Sequence, residues 1–305
     1  MKILITGANG FIGSQLSSLL AAQGHSLLLA CRSKKHTSLP SVLIGNIDSF
    51  DNWDNCLADI DVVIHLAACV HQMGDQTEIN YQRTNIDASV RLAASARRCG
   101  VKRFIFLSTI KVNGEQTHHG KCFSSLDVPA PTDAYSESKL QAELALKEIS
   151  SNSAMELVII RPPLVYGPGV KANFLRLVEL AQGGMPLPFA GLRNYRDMVS
   201  VDNLCDLIAH CIDKPEATGK TLLVSDGVAY STADIVTAVR ELSGLPQRIF
   251  YFPPVVLKLL LGLMGKKAMA DRLFGSLQVD LSATTDMVGW TPKYTLKQTL
   301  TKMLH

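Results

Sequence analysis

The 305-residue chain has little that would carry it into a membrane. The stretch 255–264 is apolar, but Lys258 interrupts it and it falls far short of the ~20 residues a spanning helix needs. It reads as a packed amphipathic helix, and no membrane partner is expected. No cleavable apolar leader precedes the first strand pattern, which begins at Ile3. The seven cysteines are odd in number and contain no C-x-x-C pair, which excludes a disulfide framework and a zinc site of that kind. Cys31, Cys56, Cys69, Cys99, Cys205 and Cys211 read as small residues in apolar surroundings, so a reducing cytoplasm is the expected compartment. A net charge of +3 without a long basic run argues against a nucleic-acid partner. Repeats and low-complexity linkers are also missing. His118 and His119 have no carboxylate or cysteine partners at ligand spacing, and no metal is assigned. His65 ends an apolar strand pattern and reads as a packed histidine.

What is present begins at the first residues. Ile3, Leu4 and Ile5 make a short buried strand; Gly7, Gly10 and Gly13 follow, and an amphipathic segment runs on from Ser14. A glycine-rich turn between a strand and a helix lets backbone N–H groups approach a pyrophosphate at the positive end of the helix. The spacing is G-x-x-G-x-x-G, and a side chain at Gly7 or Gly10 would block that approach. Up to about residue 168 strand and helix patterns alternate: strands at 2–6, 26–31, 41–44, 62–65, 104–107 and 157–161, helices at 10–23, 51–57, 81–98 and 135–150. Asn85, Ala88, Leu92 and Ala96 share one helical face. This alternation predicts an α/β fold, a doubly wound parallel sheet with its ligand beyond the carboxyl ends of the strands. After Tyr166-Gly-Pro-Gly169 the alternation stops. Helices at 173–182, 201–211 and 232–242, strands at 187–189 and 221–224, and the segment 253–263 predict a smaller α/β C-terminal substrate lobe. The expected division is a dinucleotide-binding part, 1–168, and a substrate lobe, 169–305, partly interwoven with it.

The second strand ends without an acid. No Asp or Glu occurs before Asp48. A dinucleotide site selective for NAD places a carboxylate here for the ribose 2′-hydroxyl; this chain has Arg32, Ser33, Lys34 and Lys35 instead. An acid would repel a 2′-phosphate and Arg32 would bind it, so NADP(H) is favoured, with NAD(H) the alternative. Asn46 and Ile47 would lie near the adenine.

Tyr135 and Lys139 are four residues apart on a predicted helix and therefore on one face. An ammonium beside a phenol favours the phenolate, so Lys139 is expected to lower the pKa of Tyr135 and make it a usable acid–base group. Ser108 and Thr109, just past the strand 104–107, could meet Tyr135 over a bound substrate.

Together these residues resemble the extended short-chain dehydrogenase/reductase family, in its nucleotide-sugar epimerase/dehydratase branch, over nearly the whole chain. Thr6-Gly-Ala-Asn-Gly-Phe-Ile-Gly13 is similar to the cofactor loop of that family, and His65-Leu-Ala-Ala68 to the segment after its fourth strand. Phe104-Ile-Phe-Leu-Ser-Thr109 resembles its catalytic Ser/Thr strand, and Tyr135 with Lys139 its catalytic pair. Arg161-Pro-Pro-Leu-Val-Tyr-Gly-Pro168 resembles its crossing into the substrate lobe. The resemblance implies a Rossmann fold. It implies cofactor contacts at Gly7, Asn9, Gly10, Phe11, Ile12, Gly13, Leu66, Ala67, Ala68, Asn85, Tyr135, Lys139 and Pro162, and substrate contacts at Thr109, Asn173 and Arg196. Arg272 is a weaker candidate for a second phosphate contact, and Lys111 stands where it could touch the sugar or a phosphate. A uridine nucleotide-sugar substrate and a homodimer built on the two long helices are implied in the same way.

Departures from the family patterns narrow the reaction. Its 4,6-dehydratases carry Asp-Glu after the catalytic Thr; here Ile110 and Lys111 offer no carboxylate. Its C3/C5-epimerising reductases have a Cys after the catalytic hydroxyl and a His after the Tyr-Gly-Pro turn, where this chain has Ile110 and Gly169. The favoured reading is a reductase of the C4 ketone of a UDP-4-keto-hexose, with Tyr135 as the acid. Residues 108–115 resemble the subgroup of such reductases that forms UDP-N-acetylquinovosamine for surface polysaccharides. The alternative is a UDP-hexose 4-epimerase holding NAD tightly, and the least favoured reading is a non-catalytic dinucleotide sensor.

Overall fold

The computed structural model describes residues 1–33, 38–70, 77–118, 120–151, 153–263 and 273–304. The chain opens with β1 (Lys2–Thr6), α1 (Phe11–Ala22), β2 (Ser26–Cys31), β3 (Ser41–Leu43), α2 (Trp53–Leu57) and β4 (Val62–His65). A short α3 (Thr77–Tyr81) runs through a π-helical turn, Gln82–Asp87, into α4 (Ala88–Arg98), followed by β5 (Arg103–Leu107), α5 (Ala134–Ser151) and β6 (Glu156–Arg161). Then come β7 (Leu164–Tyr166), α6 (Ala172–Gln182), β8 (Met198–Ser200), α7 (Val201–His210), β9 (Thr221–Leu223), α8 (Thr232–Leu242), α9 (Pro254–Leu263), α10 (Ser282–Val288) and α11 (Leu296–Leu304).

Seven parallel strands form one sheet in the order β3-β2-β1-β4-β5-β6-β9. Because side chains alternate across a strand, β1 sends Ile3 and Ile5 into one core and Leu4 into the other. On the first face Leu16 and Leu20 of α1 pack with Leu204, Leu207 and Ile208 of α7. On the second, Trp53 and Leu57 of α2 pack with Leu92 and Ala96 of α4 and Leu146 of α5. Both faces are covered, as near-continuous apolar strands require. The fold is the doubly wound α/β, Rossmann-like arrangement expected from the alternation.

Two expectations for the later chain need correction. Residues 187–189 form no strand, only a single bridge from Leu187 to Ile249. The strand expected in the substrate lobe at 221–224 is β9, and it pairs with β6 at the edge of the main sheet. A third, smaller core gathers Tyr166, Phe174, Val178, Val236, Val239 and Leu300 from β7, α6, α8 and α11, beside the two-stranded parallel sheet β7–β8. No helix among the described residues is long and apolar enough to cross a membrane.

The strand order reverses direction at β1, which lies between β2 and β4. That switch point opens a crevice at the carboxyl ends of β1 and β4, where doubly wound folds hold their ligands.

Candidate active site

The glycine turn sits at that crevice. Gly7 has φ +69°, and a Cβ there would stand 2.8 Å from the Ala67 amide nitrogen, so β1 and the strand-end segment Leu66–Ala68 meet backbone to backbone. A Cβ on Gly13 would come within 2.3 Å of the Gly7 carbonyl, so this glycine lets α1 press against the turn. Gly10 caps α1 without a side chain, and the first turn of the helix contains no acid. The amides of Phe11, Ile12 and Gly13 head the helix at its positive end, a cradle suited to the pyrophosphate of a dinucleotide. Asn9 links the turn to the end of β2: its Nδ2 donates to the Ser33 carbonyl at 3.2 Å, and its Oδ1 accepts from Cys31 Sγ at 3.6 Å. Arg32 is exposed beside it. Lys34 and Lys35 lie outside the described residues. Asn46 is exposed, whereas Ile47 belongs to the buried core below the third strand.

Behind the crevice runs a chain of buried polar groups. His65 is fully buried, with Nδ1 2.6 Å from Thr6 Oγ1 and Nε2 2.8 Å from Ser89 Oγ. Burial and the Lys139 ammonium push its pKa down to about 3, so it is a neutral, packed imidazole, stacked on Phe106. Thr6 Oγ1 also accepts from the Ala67 amide at 3.2 Å. Asn85, in the π-helical turn, accepts from the Cys69 amide at 2.8 Å and donates to Ser138 Oγ on α5 at 2.9 Å. A π turn re-aims a side chain that a regular helix would point elsewhere, and such turns gather at functional sites. Asn85 thereby ties the segment after β4 to the helix bearing Tyr135.

The four candidate catalytic residues stand at the ends of β5 and α5. Lys139 is 1% exposed; its Nζ lies 3.9 Å from the centroid of the Phe106 ring. Burial lowers its pKa to about 7, against the opposing pull of Glu143. The expected lowering of the Tyr135 pKa is not found. Burial first, then the nearby Asp133 carboxylate, hold the phenol above the ordinary tyrosine range. The i, i+4 spacing brings the two residues onto one face, but the burial of the phenol itself decides the direction. Thr109 is half-buried, and its Oγ1 accepts from the Lys111 amide at 3.3 Å. Pro162, just after β6, holds the same turn by accepting from the Ile110 amide at 2.9 Å. Ser108 is 4% exposed and turns away from the crevice: its hydroxyl donates to Glu143 Oε1, which also accepts from Arg161 Nε at 3.0 Å.

The candidate substrate residues are more scattered. Lys111 is held by two carboxylates, with Nζ 2.6 Å from both Asp133 Oδ2 and Glu115 Oε1. Burial works against its charge, but those partners win and raise its pKa. Asn173 is exposed in the first turn of α6, next to Ala172, whose φ of +59° is unusual for a residue with a side chain. Arg196 is half-buried, and its Nη1 donates to the Gly275 carbonyl at 2.9 Å. Asp197 is buried and accepts from the Val279 amide at 2.8 Å. Arg272 lies outside the described residues. Among the described residues no cluster of three metal-ligating side chains occurs.

The sequence reading missed Glu143, Arg161 and Asp133 as participants in the site. Glu143 carried a usable signal: it is four residues beyond Lys139, on the same helical face, where a carboxylate opposite an apolar strand must find a buried partner.

Comparison with known proteins bears on this geometry. The model of the family described as NAD dependent epimerase/dehydratase matches residues 3–224. The UDP-glucose 4-epimerase of Vibrio cholerae is 41% identical over 303 residues, covering 97% of this chain and 92% of its own. The UDP-glucose 4-epimerase of Mycolicibacterium smegmatis is 28% identical, covering 99% of this chain and 97% of its own. The solved structure of MoeE5 in complex with UDP-glucuronic acid and NAD superposes with a TM-score of 0.80 at 25% identity, covering 100% of this chain and 98% of that one.

Proposed function

Because the chain belongs to the NAD dependent epimerase/dehydratase family, we propose that it is a UDP-hexose 4-epimerase working with NAD. What supports the reading is that Tyr135 and buried Lys139 share one face of α5 while Thr109 follows directly after β5. The names of the relatives favour epimerisation over the net reduction of a 4-keto sugar that the basic Arg32 region suggests, and the similar MoeE5 structure is a complex with NAD.

In this reading the first-turn amides of α1 hold the pyrophosphate and Lys139 holds the nicotinamide ribose. The nicotinamide, when bound, supplies the acceptor and donor of hydride at C4. Tyr135 takes the proton from the C4 hydroxyl and later returns it, and Thr109 hydrogen-bonds the same oxygen. The Lys111 amide already occupies an acceptor position on Thr109 Oγ1, which leaves the threonine proton for the sugar oxygen. After Thr109 come Ile110 and Lys111, so no carboxylate stands ready to abstract a proton at C5.

One observation keeps a second reading. Arg32 is exposed at the end of β2, where a 2′-phosphate would lie, and it suits a reductase with exchangeable NADPH. Both readings use the same residues and differ in cofactor turnover. The deciding experiment incubates the purified protein with UDP-galactose and follows the anomeric proton signals, while cofactor released on denaturation is identified. Interconversion with UDP-glucose and release of NAD are expected. Failure to interconvert, with NADPH consumed only when a UDP-4-keto-hexose is supplied, would move the assignment to the reductase.

A further inference from the structure

We propose that Lys111 is a positioning residue, whose ion pair with Asp133 clamps the turn carrying Thr109 against the helix end carrying Tyr135. The inference rests on the reading of Thr109 and Tyr135 as the two hydroxyls that meet one substrate oxygen.

The geometry is a bridge with two ends. At one end Lys111 sits in the 3-10 turn Ile110–Val112, and its amide donates to Thr109 Oγ1. At the other, Asp133 precedes α5, and its Oδ1 accepts from the Ser136 amide at 2.7 Å and from Ser136 Oγ at 2.6 Å. The remaining oxygen, Oδ2, takes Lys111 Nζ at 2.6 Å. One carboxylate therefore both caps the helix two residues before Tyr135 and anchors the turn two residues after Thr109. Glu115 binds the ammonium from a third direction at 2.6 Å, limiting its swing. A partly exposed pair of this kind adds little stability. Its value lies in geometry: a displacement of about 1 Å between reacting groups can cost on the order of 100-fold in rate.

The clamp also sets charge. Tyr135 faces Asp133, Cys69 and Tyr81, whose ring centroid lies 5.9 Å away, with Lys139 one turn further along α5. The Asp133 carboxylate opposes the phenolate, and the Lys111 ammonium neutralises that carboxylate. Removing the lysine leaves the opposing charge bare; removing the aspartate charge relieves it.

Kinetics of UDP-galactose epimerisation across pH, for wild type, Lys111→Met, Lys111→Arg and Asp133→Asn, test the assignment. Asparagine still caps the helix. Lys111→Met is expected to lower kcat roughly 10- to 100-fold with KM little changed, and Lys111→Arg to restore most of the loss. The pH limb belonging to Tyr135 should move to higher pH in Lys111→Met and to lower pH in Asp133→Asn. The carboxyl carbon of Asp133, followed by NMR, should titrate higher in Lys111→Met than in wild type. A raised KM with unchanged kcat would make Lys111 a substrate ligand and overturn the proposal, as would limbs that move together or an Asp133 titration indifferent to Lys111. Wild-type protein that leaves UDP-hexoses unchanged removes the underlying reading and the proposal together. Wild-type turnover matched by Lys111→Met removes the proposal alone.

Discussion

Glu143 and Arg161 form a buried ion pair, Oε2 to Nη2 2.5 Å, with their side chains 0% and 3% exposed. Ser108 donates to the same carboxylate, and Asn113 Oδ1 takes a further Arg161 N–H at 2.9 Å. This knot ties the end of β6 to α5 and to Ser108, the residue before Thr109. It accounts for a fully charged pair in the core: each charge has its partner, and the spare donors and acceptors are satisfied. Replacing Glu143 by Gln strands the guanidinium without a counter-charge. The expected loss is about 3–5 kcal/mol in urea unfolding, with the Glu143→Leu/Arg161→Met double variant recovering a large part of it.

The same knot separates the two adjacent hydroxyls. Ser108 is tied to Glu143, while Thr109 Oγ1 accepts from the Lys111 amide and, in the proposed reading, offers its proton to the substrate oxygen. Ser108→Ala should therefore leave kcat nearly unchanged and lower stability by about 1 kcal/mol. Thr109→Val should lower kcat on the order of 100-fold with its fold intact, as for the loss of one donor to a reacting oxygen. Steady-state kinetics beside thermal unfolding of both variants check this, and a Ser108→Ala defect as deep as that of Thr109→Val would contradict it.

Asp197 gives the protein a pH signature. Burial, opposed by its bond from the Val279 amide and reinforced by Asp226, raises its pKa to about 6. A raised carboxylate binds more protons folded than unfolded between about pH 4 and pH 6, so stability falls as pH rises through that window and stays lower above it. Asn at this position can accept the same amide without a charge. Asp197→Asn is expected to unfold later than wild type at pH 8, by roughly 2 kcal/mol, and to lose that advantage near pH 4. Denaturant titrations at the two pH values measure it.

Arg32 should act on one cofactor only. Arg32→Ala is expected to weaken NADPH binding about tenfold, the scale of one charge-assisted contact, while NADH affinity stays the same. Fluorescence titration of cofactor-free protein with each nucleotide reads both numbers. An equal effect on the two would take Arg32 away from the 2′-position.

Much of this was legible in the sequence because period and punctuation agree there. The β1 and β4 apolar runs, the three glycines and the Tyr135/Lys139 spacing each pointed to one arrangement, and the sheet follows it. The rest depended on what packs against what. Spacing set Lys139 on the face of Tyr135 but could not show how deeply the ammonium and the phenol would be buried, and it is that burial which holds the phenol up. Nothing in Ser108-Thr109 says which hydroxyl turns inward; Glu143 and Arg161, distant in sequence, decide that. Residues 221–224 read as a strand, but only the open edge of β6 tells which sheet they join.

That last pairing has a consequence for how the molecule is made. Until Thr221–Leu223 leave the ribosome β6 carries an unpaired edge, and until Val201–His210 do so α1 lacks the covering of α7. The half of the chain that bears the glycine turn and Tyr135 therefore waits for the other half before its sheet closes, and a chain stopped at residue 168 would present a bare strand to its neighbours. Synthesis order and cofactor readiness are tied together: this dinucleotide crevice becomes durable only when most of the polypeptide is already present.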